Sequence, residues 1–110
     1  PEDGSLPEIS WFSTLGLQVD WHTSRSAMSV LLAADEKDPA SRSILLMFNS
    51  QHGPQRFRIP KIARSLDWQL FLDTDAEAPG DIYPNIDGPR LPASDYLVLP
   101  PRSMRCYVAD

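Results

Sequence analysis

The chain has 110 residues, 42% hydrophobic and 23% charged, enough for one domain whose single core removes roughly two-thirds of the unfolded surface from water. A formal charge of -5 and a pI near 4.8 argue against nucleic acid or an anionic membrane as partner, since both select clustered Lys and Arg and the ten basic residues are scattered. A single cysteine leaves no intrachain disulfide framework, and no apolar run approaches the roughly 20 residues that cross a bilayer.

The opening PEDGSLPEIS shows no basic region followed by an apolar one, so it carries no recognisable address. A start at Pro1 fits either removal of an initiator methionine or a fragment of a longer protein. The 11 prolines, spread from Pro1 to Pro101, leave few windows for a helix, because each interior proline costs a helix about 3 kcal/mol. Eight short segments instead read as strands: 9–13, 16–21, 27–34, 43–49, 55–60, 68–73, 95–100 and 104–108. Such a count, with turn signals between, is that of an all-β sandwich or barrel.

Several strands have one apolar face: Phe57 and Ile59 against Arg56 and Arg58, and Trp68, Leu70 and Leu72 against Gln69 and Asp73. Residues 30–34 and 44–48 are apolar on both faces, and in a two-layer sandwich only one face meets the core. Their second face calls for another cover, and Leu31, Leu45 and Met47 are the expected docking residues. Between the strands, AADEKDPASRS is a charged connection, NSQHGPQ reads as a Gly-Pro hairpin, and residues 73–95 form an irregular excursion with four prolines and two glycines. Pro100-Pro101-Arg102-Ser103 supplies the last turn, and the final strand alternates so that Met104, Cys106 and Val108 share one face and Arg105 and Tyr107 the other. Cys106 then stands in an apolar row as a small hydrophobe, with the adjacent arginine pointing away from its sulfur.

No constellation of catalytic or metal-binding residues stands out. His22 and His52 are thirty residues apart in loops without a paired zinc spacing. The acidic run from Asp73 fails as a calcium loop, because Ala78 and Pro84 fall where glycine and glutamate are needed. Asp73 and Asp75 are near enough for a carboxylate pair, but nothing around them would separate their protonation states. No nucleophile elbow, phosphate-cradling loop or dinucleotide fingerprint occurs, so no catalytic residue, metal or cofactor is assigned. Carbohydrate modules stack sugars on exposed rings, and Tyr83, Trp11 and Trp21 are the candidates for such contact.

The ordered set ISWF, VDWH, AMSVLLAA, SILLMFNSQHGPQRFRIP, WQLFLDTD and YLVLPPRSMRCYV resembles the C-terminal β-sandwich domain of glycogen debranching enzymes of the isoamylase type, in the α-amylase superfamily. The most characteristic pieces are Asn49-Ser50 with His52, Pro54 and Phe57-Arg58-Ile59-Pro60, then Trp68 with Leu72-Asp73-Thr74, and the closing Pro100-Pro101-Arg102-Ser103. The link from Phe12 to Trp21 is shorter than in that family and lacks its Asp-Gly turn.

The resemblance implies a two-layer antiparallel β-sandwich of Greek-key type with about eight strands, as in α-amylase C-terminal domains. Residues 1-25 would join or pack on a catalytic barrel, and residues 26-110 would form the sandwich. The parent would be a cytoplasmic glycoside hydrolase that cuts α-1,6 branch linkages of glycogen. Its (β/α)8 barrel would be this domain's partner, with α-glucan as a second candidate. The catalytic motifs of such a barrel are absent here, so the domain itself would be non-catalytic.

Overall fold

The computed structural model describes residues 9–17, 27–34, 37–38, 40–91 and 96–109, the side chains of Ile62 and Ser65 excepted. These residues form antiparallel sheets with one short helix. The strands are β1 (Ile9–Phe12), β2 (Ala27–Leu32), β3 (Ser43–Asn49), β4 (Gln55–Arg58), β5 (Trp68–Asp73), β6 (Tyr96–Leu99) and β7 (Ser103–Ala109). A 3-10 helix, Lys61–Ser65, lies between β4 and β5. The larger sheet has five strands in the order β1-β2-β3-β7-β5, and β4 pairs with β6 in a second sheet of two. From β3 onward the chain alternates between sheets at every step, which closes the core between two layers.

That core lies on one face of the larger sheet. Cross-strand partners share a face, so the ladders Leu31–Leu45–Tyr107–Leu70 and Ser43–Ala109–Trp68 project together toward the second layer. Phe57, Ile59, Ala63 and Leu99 meet them from the other side, each 3% exposed or less. Trp68 satisfies its indole by donating from Nε1 to the carbonyl of Ala63 at 2.7 Å, so the 3-10 helix is tied to the core it covers.

The connection NSQHGPQ, read as a hairpin from sequence, and the last turn at Pro100-Pro101-Arg102-Ser103 are both arches between layers. β3 and β4 belong to different sheets, as do β6 and β7. Asn49 makes this possible. Only 2% exposed, its Nδ2 donates to the carbonyls of Gly53 (3.0 Å), Leu99 (3.3 Å) and Pro100 (3.1 Å), and its Oδ1 accepts from the Gln51 amide (2.9 Å). One side chain therefore anchors both arches at the same end of the sandwich. The second arch turns at Arg102, whose φ of 51° is left-handed and whose amide reaches the Gln51 carbonyl at 3.2 Å.

β5 departs from simple alternation. Leu70 pairs with Tyr107 but Leu72 pairs with Cys106, so Phe71 is an extra residue, a bulge that reverses the facing of Leu72 and Asp73. The expectation that Leu72 joins Trp68 and Leu70 is thereby corrected: Leu72 lies in the outer row with Cys106, and Asp73 turns inward beside Arg105. The excursion after β5 runs back along its free edge. The amides of Leu70, Tyr83 and Leu91 donate to the carbonyls of Pro89, Phe71 and Trp68 at 2.8–2.9 Å, which closes a sheet edge that would otherwise be open.

At the other end, β1 pairs with β2 from Ile9↔Leu32 to Phe12↔Ser29, so the segment expected to join or pack on a barrel, residues 1-25, contributes the edge strand of the larger sheet. The strand expected at 16–21 does not start at its first residues. Gly16 adopts φ +74° in a turn closed by the Ser13 amide on the Leu17 carbonyl, and residues 18–21 lie outside the described residues. That turn also takes the Arg58 amide on the Thr14 carbonyl at 2.7 Å and so caps the edge of β4.

Candidate docking surface

The other face of the larger sheet is apolar throughout its centre. The ladder Trp11–Val30–Leu46–Cys106–Leu72 crosses all five strands, flanked by Ile9–Leu32–Ile44–Val108 on one side and Met28–Phe48–Met104 on the other. The sheet raises this second apolar face because its sequence alternates between two sets of hydrophobes, one for each side. Met28, Val30, Cys106 and Val108 are already buried among their neighbours, while Leu32, Ile44, Leu46, Phe48 and Met104 are half-buried and Ile9 is 48% exposed. Five strands about 4.8 Å apart, carrying three side-chain rows about 7 Å apart, present roughly 400 Å² in projection. The part open to solvent is smaller than this footprint, because four of the twelve side chains are buried.

The docking residues expected from sequence are corrected by this geometry. Leu31, Leu45 and Met47 are each 0% exposed and belong to the core under the second layer. The residues that face outward are their sequence neighbours, Val30, Leu46 and Phe48. Both sets are apolar, so periodicity defines two faces without saying which one β4 and β6 cover.

Cys106 is central in the outer row. Burial pushes its thiol above the ordinary cysteine value, which favours the protonated form and disfavours a nucleophile. Arg105 projects to the opposite face, where its Nε lies 3.3 Å from Asp73 Oδ2 in an ion pair whose N–H direction falls outside hydrogen-bond geometry. Its Nη1 reaches Tyr107 Oη at 3.5 Å. Burial pushes the Tyr107 phenol up, opposed by the hydrogen bond and the charge of Arg105. Ser29, buried in the same ladder on the far side of Met47, has no hydrogen-bond partner for its Oγ among the described residues.

The carboxylate pair weighed from sequence is occupied structurally. Asp73 faces Arg105 and its Oδ1 accepts the Asp75 amide at 3.0 Å, capping a turn, while Asp75 is exposed. Among the described residues no three of His, Cys, Asp and Glu are gathered to hold a metal ion. His52 has its Nδ1 2.7 Å from Arg102 Nη2, and since a guanidinium only donates, the ring nitrogen accepts. Among the described residues no helix is long and apolar enough to cross a membrane.

Of the aromatic candidates, Trp11 and Tyr83 lie at opposite edges of the larger sheet. Tyr83 is half-buried against the core, with its ring over Gly88, where an added Cβ would meet Tyr83 Cγ at 2.8 Å and also strike the Leu70 carbonyl. Trp11 is half-buried on the edge strand of the outer face, and Trp21 lies outside the described residues. Tyr96, at the head of β6, is 39% exposed beneath the Arg56 guanidinium.

No family model matches the chain, and no curated protein matches it.

Proposed function

We propose that the chain is a non-catalytic accessory β-sandwich that packs through its outer face on a catalytic (β/α)8 barrel, stabilising and shielding it. The observation that carries this reading is the apolar ladder Trp11–Val30–Leu46–Cys106–Leu72, continuous across five strands on the face that β4 and β6 leave uncovered. A neutral branched-aliphatic surface suits a flat protein partner, and it lacks the exposed coplanar rings with flanking polar groups that hold sugars. The resemblance of the sequence to the C-terminal domain of isoamylase-type debranching enzymes supplies the parent activity: retaining hydrolysis of α-1,6 branch linkages in glycogen, in the cytoplasm.

The test is the intact mass and activity of the native polypeptide that carries these residues. It is expected to exceed the 12.3 kDa of this chain by at least a barrel, typically about 250 residues, and to debranch glycogen. A native polypeptide of 12.3 kDa overturns the reading. Titration with maltoheptaose addresses the sugar. A flat tryptophan-fluorescence response is expected, and a saturable one would replace docking by α-glucan binding near Trp11 or Tyr83.

A further inference from the structure

The cations that look scattered in sequence are concentrated in one stretch. Between Asp38 and Asp67 there is no Asp or Glu, yet the segment holds Arg42, Arg56, Arg58, Lys61 and Arg64. β4 sets Arg56 and Arg58 on the solvent face of the second layer, while Phe57 between them is buried. Register places Arg56 opposite Val98 and Arg58 opposite Tyr96. The Arg56 guanidinium lies 3.7 Å from the Tyr96 ring centroid and that of Arg58 lies 6.0 Å from it, so Arg56 reaches diagonally over β6. Among the described residues neither arginine has a carboxylate partner, although the protein as a whole is acidic.

Among the described residues, nothing pairs with the outer edge of the backbone beside this cluster. The Arg58 amide points away from β6, toward Thr14, and Arg58↔Tyr96 is therefore a pair that exchanges no ladder bonds. Two residues along, Arg56↔Val98 is of the same kind, and the Val98 N–H and C=O point away from β4, where no described residue pairs with them. The Val98 side chain is 54% exposed, so nothing covers this position from the face either.

We propose that the free edge of β6 is a β-augmentation site for an extended acidic segment of a protein partner. Such a segment adds a third strand through the Val98 main chain. A glutamate or aspartate placed beside Tyr96 then meets the Arg56 guanidinium already poised over the ring, where a planar fork suits a carboxylate. The site lies on the second layer, away from the outer face of the larger sheet, and does not depend on the accessory-domain reading.

The experiment is an NMR titration of the full chain with a seven-residue capped peptide alternating valine and glutamate. Saturable amide shifts at Leu97, Val98 and Leu99 and side-chain Nε shifts at Arg56 and Arg58 are expected, weakening as salt is raised. Arg56→Glu with Arg58→Glu, both exposed positions, should leave the spectrum folded and weaken binding by roughly tenfold or more. The same peptide with its glutamate amides N-methylated should lose binding as well, since the outward-facing residues are the ones whose amides point at the β6 edge. Equal binding by a valine–lysine peptide, by the N-methylated peptide, or by inorganic polyphosphate would overturn the proposal, as would absence of any saturable shift.

Discussion

Replacing Asn49 by alanine should destabilise the fold far more than the loss of one small polar side chain suggests. The side chain makes four hydrogen bonds to the two arches, three donated and one accepted, at 2.9–3.3 Å, and is 2% exposed. A net hydrogen bond contributes about 0.5–1.5 kcal/mol, and a buried carbonyl such as that of Leu99 left without a donor adds about 1 kcal/mol or more. Sharing two N–H groups among three carbonyls reduces the donated total, so the sum is about 3 kcal/mol. For a chain of 110 residues this corresponds to a drop in Tm of roughly 10 °C. Urea unfolding followed by tryptophan fluorescence reads it directly, with an unchanged m-value. Asn49→Asp should be worse than alanine, because it presents a carboxylate oxygen to the carbonyls of Gly53 and Pro100 in place of an amide donor. A loss below about 1 kcal/mol in Asn49→Ala, or an Asp variant more stable than the Ala variant, would refute the role of Asn49 as the joint clamp of both arches.

Neighbouring leucines in β3 give the sharpest check on which face is core. Leu45→Ala, at 0% exposure, should cost about 2–5 kcal/mol, whereas Leu46→Lys, on the outer face, should cost about 1 kcal/mol because the ammonium can reach water; equal losses in denaturant unfolding would contradict the facing. Gly88→Ala should destabilise by about 1–3 kcal/mol, since its Cβ would strike the Leu70 carbonyl and the Tyr83 ring, and wild-type thermal stability would show that loop to be loosely packed. Alkaline stability follows from Cys106 and Tyr107, both held neutral by burial with folded pKa values above those of the unfolded chain. Their contribution is complete below the unfolded pKa values and is lost as pH rises through the folded ones, so stability should fall from about pH 9 upward. In Cys106→Ala the decline should begin nearer pH 10, and a pH-independent plateau through that range would contradict it.

Strand positions were largely legible because short alternating or continuously apolar runs are bracketed by prolines, glycines or charged turns. All seven strands fall within two residues of expected ranges, while no described strand answers to the range 16–21. Two features were hidden for identifiable reasons. WQLFLD places Trp68, Leu70 and Leu72 at alternate positions, so the pattern sets them on one face; the bulge at Phe71 shows in the Leu72↔Cys106 register and in the inward turn of Asp73. The turns NSQHGP and PPRS mark where the chain reverses, but whether a reversal stays in one sheet or crosses to the other is decided by Asn49, which bonds to both. The inner and outer faces were misassigned for a related reason. Ile44 to Phe48 is apolar at every position, and the cover comes from Phe57 and Leu99, remote in sequence and invisible to local periodicity.

The central claim, that the outer face is buried against a catalytic barrel, is tested most directly by hydroxyl-radical footprinting of Phe48 and Met104 in the isolated chain and in the intact native polypeptide. Both side chains should label in the isolated chain and be protected in the native polypeptide, while exposed Ile82 on the excursion after β5 keeps its labelling. Equal labelling of Phe48 and Met104 in the two forms would contradict the account.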